Sequence, residues 1–166
     1  MDKFQNKYRI ESARLASWDY RWPGAYFITI CTKNREHFFG SVINQQMQLS
    51  KIGELAHSCW TEIPAHAMNI LLGEFVIMPD HVHGIIIIDV ETRHASSLHS
   101  RKNSISSIVG GFKSSVTRLA RPVNSLFNWQ SRFYDRIIRD REEFIRISDY
   151  IRNNPANWKH GNENSH

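Results

Sequence analysis

The fold is decided by the stretch Phe75-Val-Ile-Met-Pro-Asp-His-Val-His-Gly-Ile-Ile-Ile-Ile88. It ends in four consecutive isoleucines, a pattern typical of a central β-strand that is buried on both faces. Residues two apart on a strand point to the same face, so His81 and His83 are expected to lie side by side. Two imidazoles in this arrangement can bind one metal ion. The alternative is a pair of hydrogen-bonded histidines without a chemical role, and the spacing alone leaves both interpretations open.

Upstream of this stretch, the sequence predicts one strand and one helix. Residues 25–32 are rich in β-branched and aromatic side chains, as strands are. Ser50 can cap a helix whose apolar positions recur at helical spacing as far as Ile63, and Pro64 marks the end of that helix.

Downstream, the sequence predicts a helix, a strand and a last helix. Ser104 can cap the first of these helices, because apolar residues follow it at helical spacing. Residues 133–139 predict the strand, and residues 141–154 predict the last helix, which Pro155 ends. The whole order predicts an α+β fold, a ferredoxin-like sandwich. We expect an antiparallel sheet with its helices on one face and the histidine pair on a central strand.

The composition is that of a globular protein of one domain, with 166 residues, 41% hydrophobic and 22% charged. We expect the domain to span residues 1–160 and a disordered tail to span residues 161–166. No apolar run approaches the roughly 20 residues that span a bilayer, and the first residues lack the apolar core of a signal peptide. We therefore expect a cytoplasmic protein that has no membrane partner.

Positive charge is concentrated in the second half of the chain. The net charge is +5, and residues 101–152 contain eleven Lys or Arg against five Asp or Glu. Residues 1–100 contain nine against ten. Such asymmetry favours a polyanionic partner, most simply nucleic acid, although charges that only solubilise exposed helix faces would give the same count.

A second group of polar residues lies on the last predicted helix. Tyr150 and Asn154 are four residues apart, so both project from one side of the helix. Tyr150 could simply pack its ring at the edge of the core and expose its hydroxyl. It could instead be a nucleophile, with the Asn154 amide oxygen as a metal ligand. A phenol attacks phosphorus poorly at neutral pH unless it is activated, and a neighbouring metal ion would orient the phosphate and withdraw its charge.

The chain resembles the single-tyrosine HUH endonucleases, and among them the REP-associated tyrosine transposases. HUH denotes His–hydrophobic–His, which is met by His81-Val82-His83. The resemblance continues in Tyr26-Phe-Ile-Thr-Ile-Cys-Thr32, Ile108-Val-Gly-Gly-Phe-Lys-Ser114, Trp129-Gln-Ser-Arg-Phe-Tyr-Asp135 and Tyr150-Ile-Arg-Asn-Asn-Pro155. Many relatives have Asn before the first histidine, where this chain has Asp80, and the sequence does not decide what this difference does.

The resemblance implies a metal-dependent endonuclease and strand transferase for single-stranded DNA at hairpin sites. His81, His83 and Asn154 would be the metal ligands, with Mg²⁺ or Mn²⁺ as the working ion. Tyr150 would attack the scissile phosphate and form a 5′-phosphotyrosine intermediate. The hairpin sequence, the cleavage site, transposition in the cell and the choice between monomer and homodimer stay open.

DNA binding is expected on the basic half of the chain. Our candidates are basic or amide side chains on and after the second long helix and on the last one: Lys113, Arg118, Arg121, Gln130, Arg132 and Arg152. The N-terminal basic and aromatic residues could also contact hairpin bases: Arg9, Arg14, Trp18, Tyr20, Arg21 and Trp22. Tyr26 and Tyr134 lie on predicted strands and are expected to be remote from the metal.

Two other functions fit parts of the sequence. One is a nucleic-acid-binding regulator that does not cleave, and the other is a small metal-dependent hydrolase. The presence of both histidines, Tyr150 and Asn154 favours the nuclease over a binder, and the basic second half favours nucleic acid over a small substrate.

Overall fold

The computed structural model describes residues 24–88 and 104–159. Outside these ranges lie the N-terminal basic and aromatic residues, the segment at 89–103 and the predicted tail at 161–166. Within them, no helix has both the length and the apolar character that crossing a membrane requires.

Six strands, four α-helices and a short 3₁₀ turn at Lys33–Arg35 make up the described chain. The strands and α-helices follow in the order β1 (Ala25–Cys31), β2 (Gly40–Ile43), β3 (Gln46–Leu49), α1 (Lys51–Thr61), α2 (Ile63–His66), β4 (Ile70–Ile77), β5 (His81–Ile88), α3 (Ile105–Ala120), β6 (Tyr134–Ile138) and α4 (Arg141–Arg152). Ser50 caps α1 and Ser104 caps α3, each by accepting a hydrogen bond from a backbone N–H three residues on, as the sequence predicts.

Four strands form one antiparallel sheet in the order β4-β5-β1-β6, and β2 and β3 form a separate hairpin. Strand β5, which bears the His-x-His motif, lies between β4 and β1 and is therefore central, as predicted. All eight of its residues are buried. The order of the four sheet strands is that of a ferredoxin-like sandwich, so the predicted fold class is confirmed.

The two faces of β5 contribute to two separate apolar cores. Val82, Ile86 and Ile88 pack with α1 and α3, whereas Ile85 and Ile87 pack with α4. Because neighbouring side chains of a strand point to opposite faces, these cores lie on opposite sides of the sheet.

The expectation that the helices lie on one face holds for α1 and α3 and is wrong for α4. Both Ile85 and Ile87, on the second face of β5, are almost fully buried. An apolar strand surface of this kind needs a cover, and Phe144, Ile147 and Ile151 of α4 provide it. The last helix therefore lies on the face to which the odd-numbered residues of β5, including both histidines, point.

Candidate active site

The His-x-His motif forms one end of that second face. His81 lies opposite Cys31 of β1, and His83 lies opposite Thr29. The two imidazole rings are 4.4 Å apart between centroids, and both side chains are buried. The predicted arrangement of the two rings on one face is therefore present.

Each histidine is held through its Nδ1 atom. His81 Nδ1 is 2.6 Å from Asp80 Oδ1, and His83 Nδ1 is 2.8 Å from Thr29 Oγ1. Such contacts fix the ring orientation of metal-binding histidines, and a carboxylate partner also makes the other nitrogen a stronger ligand. A metal ion would then be bound through Nε2 of both rings.

Asp80 is itself held from the other side by Arg35. The Arg35 Nε atom donates to Asp80 Oδ2 at 3.0 Å. Burial alone would raise the pKa of Asp80, but the hydrogen bonds and charges of His81 and Arg35 outweigh it and lower that pKa. The carboxylate therefore stays ionised as a partner for the imidazole.

The Arg35 side chain comes from a strained turn. Both Asn34 and Arg35 have φ of 56°, a conformation that costs free energy in residues other than glycine. Arg35 Nη1 also donates to the Cys31 sulfur at 2.8 Å. Burial raises the pKa of the Cys31 thiol although Arg35 opposes the shift, so the thiol of the metal-free protein is protonated at neutral pH.

Tyr150 reaches the same face from α4. Its ring centroid is 5.5 Å from that of His83. Phe27 of β1 stacks on His83 at 5.3 Å and meets Tyr150 edge-on at 6.2 Å, so one phenylalanine supports both rings. Tyr150 nevertheless remains 46% exposed, which leaves it open to a large substrate.

Asn154 lies in the turn that follows α4. Its backbone N–H donates to Ile151 O, and the turn leads to Trp158, whose ring is 6.2 Å from that of His81. The turn thus returns the chain to the histidine pair. Among the residues that the structure describes, no three His, Cys, Asp or Glu side chains could hold a metal by themselves. Two imidazoles with an amide oxygen would make a donor set that suits Mn²⁺ and leaves positions for phosphate and water.

A cavity of about 660 Å³ opens beside His83 and Tyr150. Most of its lining is aromatic or polar and uncharged: Phe27, Thr29, Cys31, His83, Gln130, Arg132, Phe133, Tyr134 and Tyr150. None of these residues is acidic, so the cavity offers no repulsion to a polyanion.

A second groove, of about 750 Å³, runs along α3 and contains three of the predicted DNA-binding cations, Lys113, Arg118 and Arg121. Gln130 lines both this basic groove and the cavity beside Tyr150. Lys113 Nζ donates to Gln130 O at 2.8 Å, and partial burial lowers the pKa of that lysine. The two openings are therefore joined by one residue whose position is fixed.

The remaining predicted binding residues are placed differently. Arg132 lines the cavity. Arg152 pairs with Glu74 at 2.9 Å and with Asp149 at 2.7 Å, so its charge is balanced by two carboxylates. Tyr26 packs against the core under α1 and α3, away from the histidines as expected. Tyr134 lines the cavity with Tyr150, and the expectation that it lies far from the site is wrong.

Four residues of the site were missed by the sequence analysis: Phe27, Thr29, Arg35 and Trp158. Phe27 and Thr29 are two residues apart on β1 and therefore point to the same face of the sheet. Only the register between β1 and β5 shows that this is the face of the histidines. Arg35 and Trp158 lie in turns, where neither hydrophobic periodicity nor residue spacing predicts which way a side chain points.

Comparison with known proteins shows the family of the chain. A family model of IS200-like transposases matches residues 20–154. An uncharacterized protein of Haemophilus influenzae is 43% identical over 160 residues, and the match covers 89% of each chain. A solved structure of a REP-associated tyrosine transposase bound to a REP hairpin has a TM-score of 0.55 and 21% identity. That match covers 87% of this chain and 73% of the other, and it shows a shared fold. Since the family model covers most of the chain, the protein belongs to the IS200-like transposases.

Proposed function

We propose that this protein is a divalent-metal-dependent endonuclease and strand transferase that acts on single-stranded DNA at hairpin sites. Tyr150 is the nucleophile, and His81, His83 and Asn154 hold Mg²⁺ or Mn²⁺. The observation that supports this best is the common cavity of Tyr150 and His83, whose rings are 5.5 Å apart. A hydroxyl beside a metal-binding imidazole can reach a phosphate bound at that metal.

Cleavage is a transesterification. The Tyr150 oxygen forms a bond to phosphorus while the bond from phosphorus to the 3′ oxygen breaks. The proton lost by the phenol is balanced by the proton that the 3′ oxygen gains. The metal, when bound, supplies charge withdrawal from the phosphate and holds it for in-line attack. One phosphodiester has replaced another, so a free 3′-OH can reverse the step and join strands without a nucleotide cofactor.

The chain's own residues prepare this step by positioning. Asp80 and Thr29 fix the two imidazoles, and Phe27 fixes His83 relative to Tyr150. Fixing reactants in this way removes the entropy cost of bringing them together. The basic groove of α3 would bind the DNA backbone, and the strand would continue past Gln130 to Tyr150.

The test is covalent capture. A labelled pool of single-stranded stem-loop oligonucleotides is incubated with the protein and Mn²⁺, and adducts are resolved by denaturing gel electrophoresis. We expect an adduct whose DNA maps to Tyr150 by peptide sequencing. Tyr150→Phe removes one oxygen and keeps the ring contacts, so it should abolish the adduct and preserve binding. Tyr26→Phe, on the other face of the sheet, is the matched control and should keep full activity.

The same experiment separates the other two functions. A metal-dependent hydrolase would give cut DNA without an adduct, because water rather than tyrosine would be the nucleophile. A regulator would bind the stem-loop and leave it intact with every metal. An adduct that persists in Tyr150→Phe, or one that maps to Tyr134, would contradict the assignment of the nucleophile.

A further inference from the structure

We propose that the cavity beside Tyr150 is a binding site for one unstacked nucleobase next to the scissile phosphate, with Tyr134 as its stacking surface. This inference rests on the proposed function for the position of the phosphate. It adds a site at which the protein would recognise an unpaired base, in addition to the hairpin.

The lining of the cavity fits a base better than a phosphate. Four aromatic rings line it, those of Phe27, Phe133, Tyr134 and Tyr150. Tyr134 is 56% exposed in the part of the chain that the structure describes, so much of its side chain is accessible to a ligand. Stacking on exposed aromatic rings is the principal way in which proteins hold single-stranded bases.

The register of the sheet sets the width of this site. Tyr134 lies opposite Thr29, and Thr29 lies opposite His83, so the three residues form one row across β6, β1 and β5. Strands in a sheet are about 4.8 Å apart, so the backbones that bear Tyr134 and His83 are separated by roughly 10 Å. A base stacked on Tyr134 would therefore lie beside a phosphate held at His83, one nucleotide away along the strand.

Polar groups at the rim can contact the edge of such a base. Gln130 is exposed, but its backbone is fixed by bonds from its N–H to Cys31 O at 2.9 Å and from Lys113 to its carbonyl. Its amide offers both a donor and an acceptor, which suits the edge of an unpaired base. Arg132 adds donors at the same rim. The cavity thus combines a flat apolar surface with hydrogen-bonding groups at its edge, as base-binding sites do.

The test is a double-mutant cycle between the protein and the DNA. A stem-loop oligonucleotide is selected for binding from a pool with randomised stems and flanks, and each unpaired position is then replaced in turn by an abasic nucleotide. Affinity is measured by fluorescence anisotropy in EDTA, so that no cleavage occurs. We expect one position beside the cleavage site at which the abasic replacement weakens binding by ~10-fold, the size of a lost base–aromatic stack.

Tyr134→Ala should bind the intact strand with the same ~10-fold loss, yet be indifferent to the abasic replacement at that one position. Tyr134→Phe keeps the ring and should restore the sensitivity. Ile137→Ala is the matched control, since Ile137 is 45% exposed on the same strand but points to the other face. It should behave as the unaltered protein does.

The outcomes distinguish the two proposals. An adduct at Tyr150 with no position coupled to Tyr134 would overturn the base site and leave the nuclease in place. Coupling to Tyr134 without any adduct would leave the base site and overturn the nuclease. Failure to select any binding strand would overturn both.

Discussion

Asp80 connects the histidine pair to the loop structure behind it. It accepts a charge-assisted hydrogen bond from Arg35 and contacts His81 Nδ1 with its other oxygen. Its backbone carbonyl also accepts bonds from the N–H and hydroxyl groups of Thr32. Position 80 therefore has an anion that is held in place on two sides and directed at the ring of His81.

We predict that Asp80→Asn weakens Mn²⁺ binding by about 10-fold or more, which is typical for loss of a partner behind a metal-binding histidine. The substitution keeps the shape of the side chain and removes the charge that strengthens His81 as a ligand. Isothermal titration of the metal-free protein with Mn²⁺ measures the effect. Glu36→Gln removes one exposed negative charge from the same turn region and should leave the affinity unchanged. Equal affinities for the two variants would show that Asp80 acts only in the turn.

At the scale of single residues, the sequence predicted the placement of His81, His83 and Tyr150 better than that of the residues that support them. His81, His83 and Tyr150 belong to motifs whose spacing implies a direction, since residues two apart share a strand face and residues four apart share a helix side. Phe27 and Thr29 contact these residues only because β1 pairs with β5. Thr29 and His83, which share a hydrogen bond, are 54 residues apart in the sequence. Such register is set by the whole sheet, so no local pattern reveals it.

At the scale of helices and strands, Gly84 determines how closely α1 packs against β5. Gly84 follows the histidine motif on the opposite face of β5, and a Cβ atom there would overlap the ring of Trp60 from α1. Trp60 is fully buried and packs edge-on against Phe112, so it has no room to retreat. The absence of a side chain at Gly84 is therefore what allows α1 to approach the central strand.

We predict that Gly84→Ala lowers the free energy of unfolding by ~1–3 kcal/mol, the usual cost of overfilling a packed core. Gly110→Ala in α3 is the matched control, because a Cβ atom there meets nothing within 4 Å. Alanine in a helix is favoured over glycine by up to ~1 kcal/mol, so this variant should be more stable. Urea denaturation compares both with the unaltered protein. A Gly84→Ala variant as stable as the parent would mean that α1 is free to move.

The helices were easier to predict than the small hairpin. Caps and apolar periods indicated α1, α3 and α4, and these are signals that a helix needs for its own formation. The hairpin β2–β3 was not predicted, since its turn is Asn44-Gln45 with φ of 52° and 64°. Most turns of this kind use glycine at the second position, and the usual sequence signal is therefore missing. The place of α4 on the second face was also missed, although four consecutive isoleucines in β5 already required a cover on both sides.

At the scale of the whole molecule, charge and shape together support the proposed path for DNA. Three cations line the groove of α3, and the cavity beside Tyr150 has no acidic lining residue. Arg152, by contrast, is already paired with two carboxylates. Equal formal charges on the surface should therefore contribute unequally to binding.

We predict that the affinity for a stem-loop falls steeply as the salt concentration rises. Each Lys or Arg that contacts a phosphate releases counterions from the DNA backbone, and salt opposes this release. Replacing Arg118 by Gln should reduce the slope of log affinity against log salt by about one, as loss of one phosphate contact does. Arg152→Gln should change it less, since that charge is balanced within the protein. Anisotropy titrations over a series of salt concentrations measure both slopes. A larger effect of Arg152→Gln would place the DNA along α4 and not along α3.

Strand β5 alternates between the core under α1 and α3 and the face of the histidines, and this alternation has an evolutionary consequence. Deletion of the Val82 codon would make the two histidines consecutive, so that one imidazole would point to the core under α1 and α3. Such a lesion would separate the proposed ligands and bury an imidazole in an apolar core. Folded but inactive descendants of this gene can therefore arise through point substitutions in the proposed ligands or the tyrosine, whereas a frame-preserving deletion between the histidines should be found only in pseudogenes.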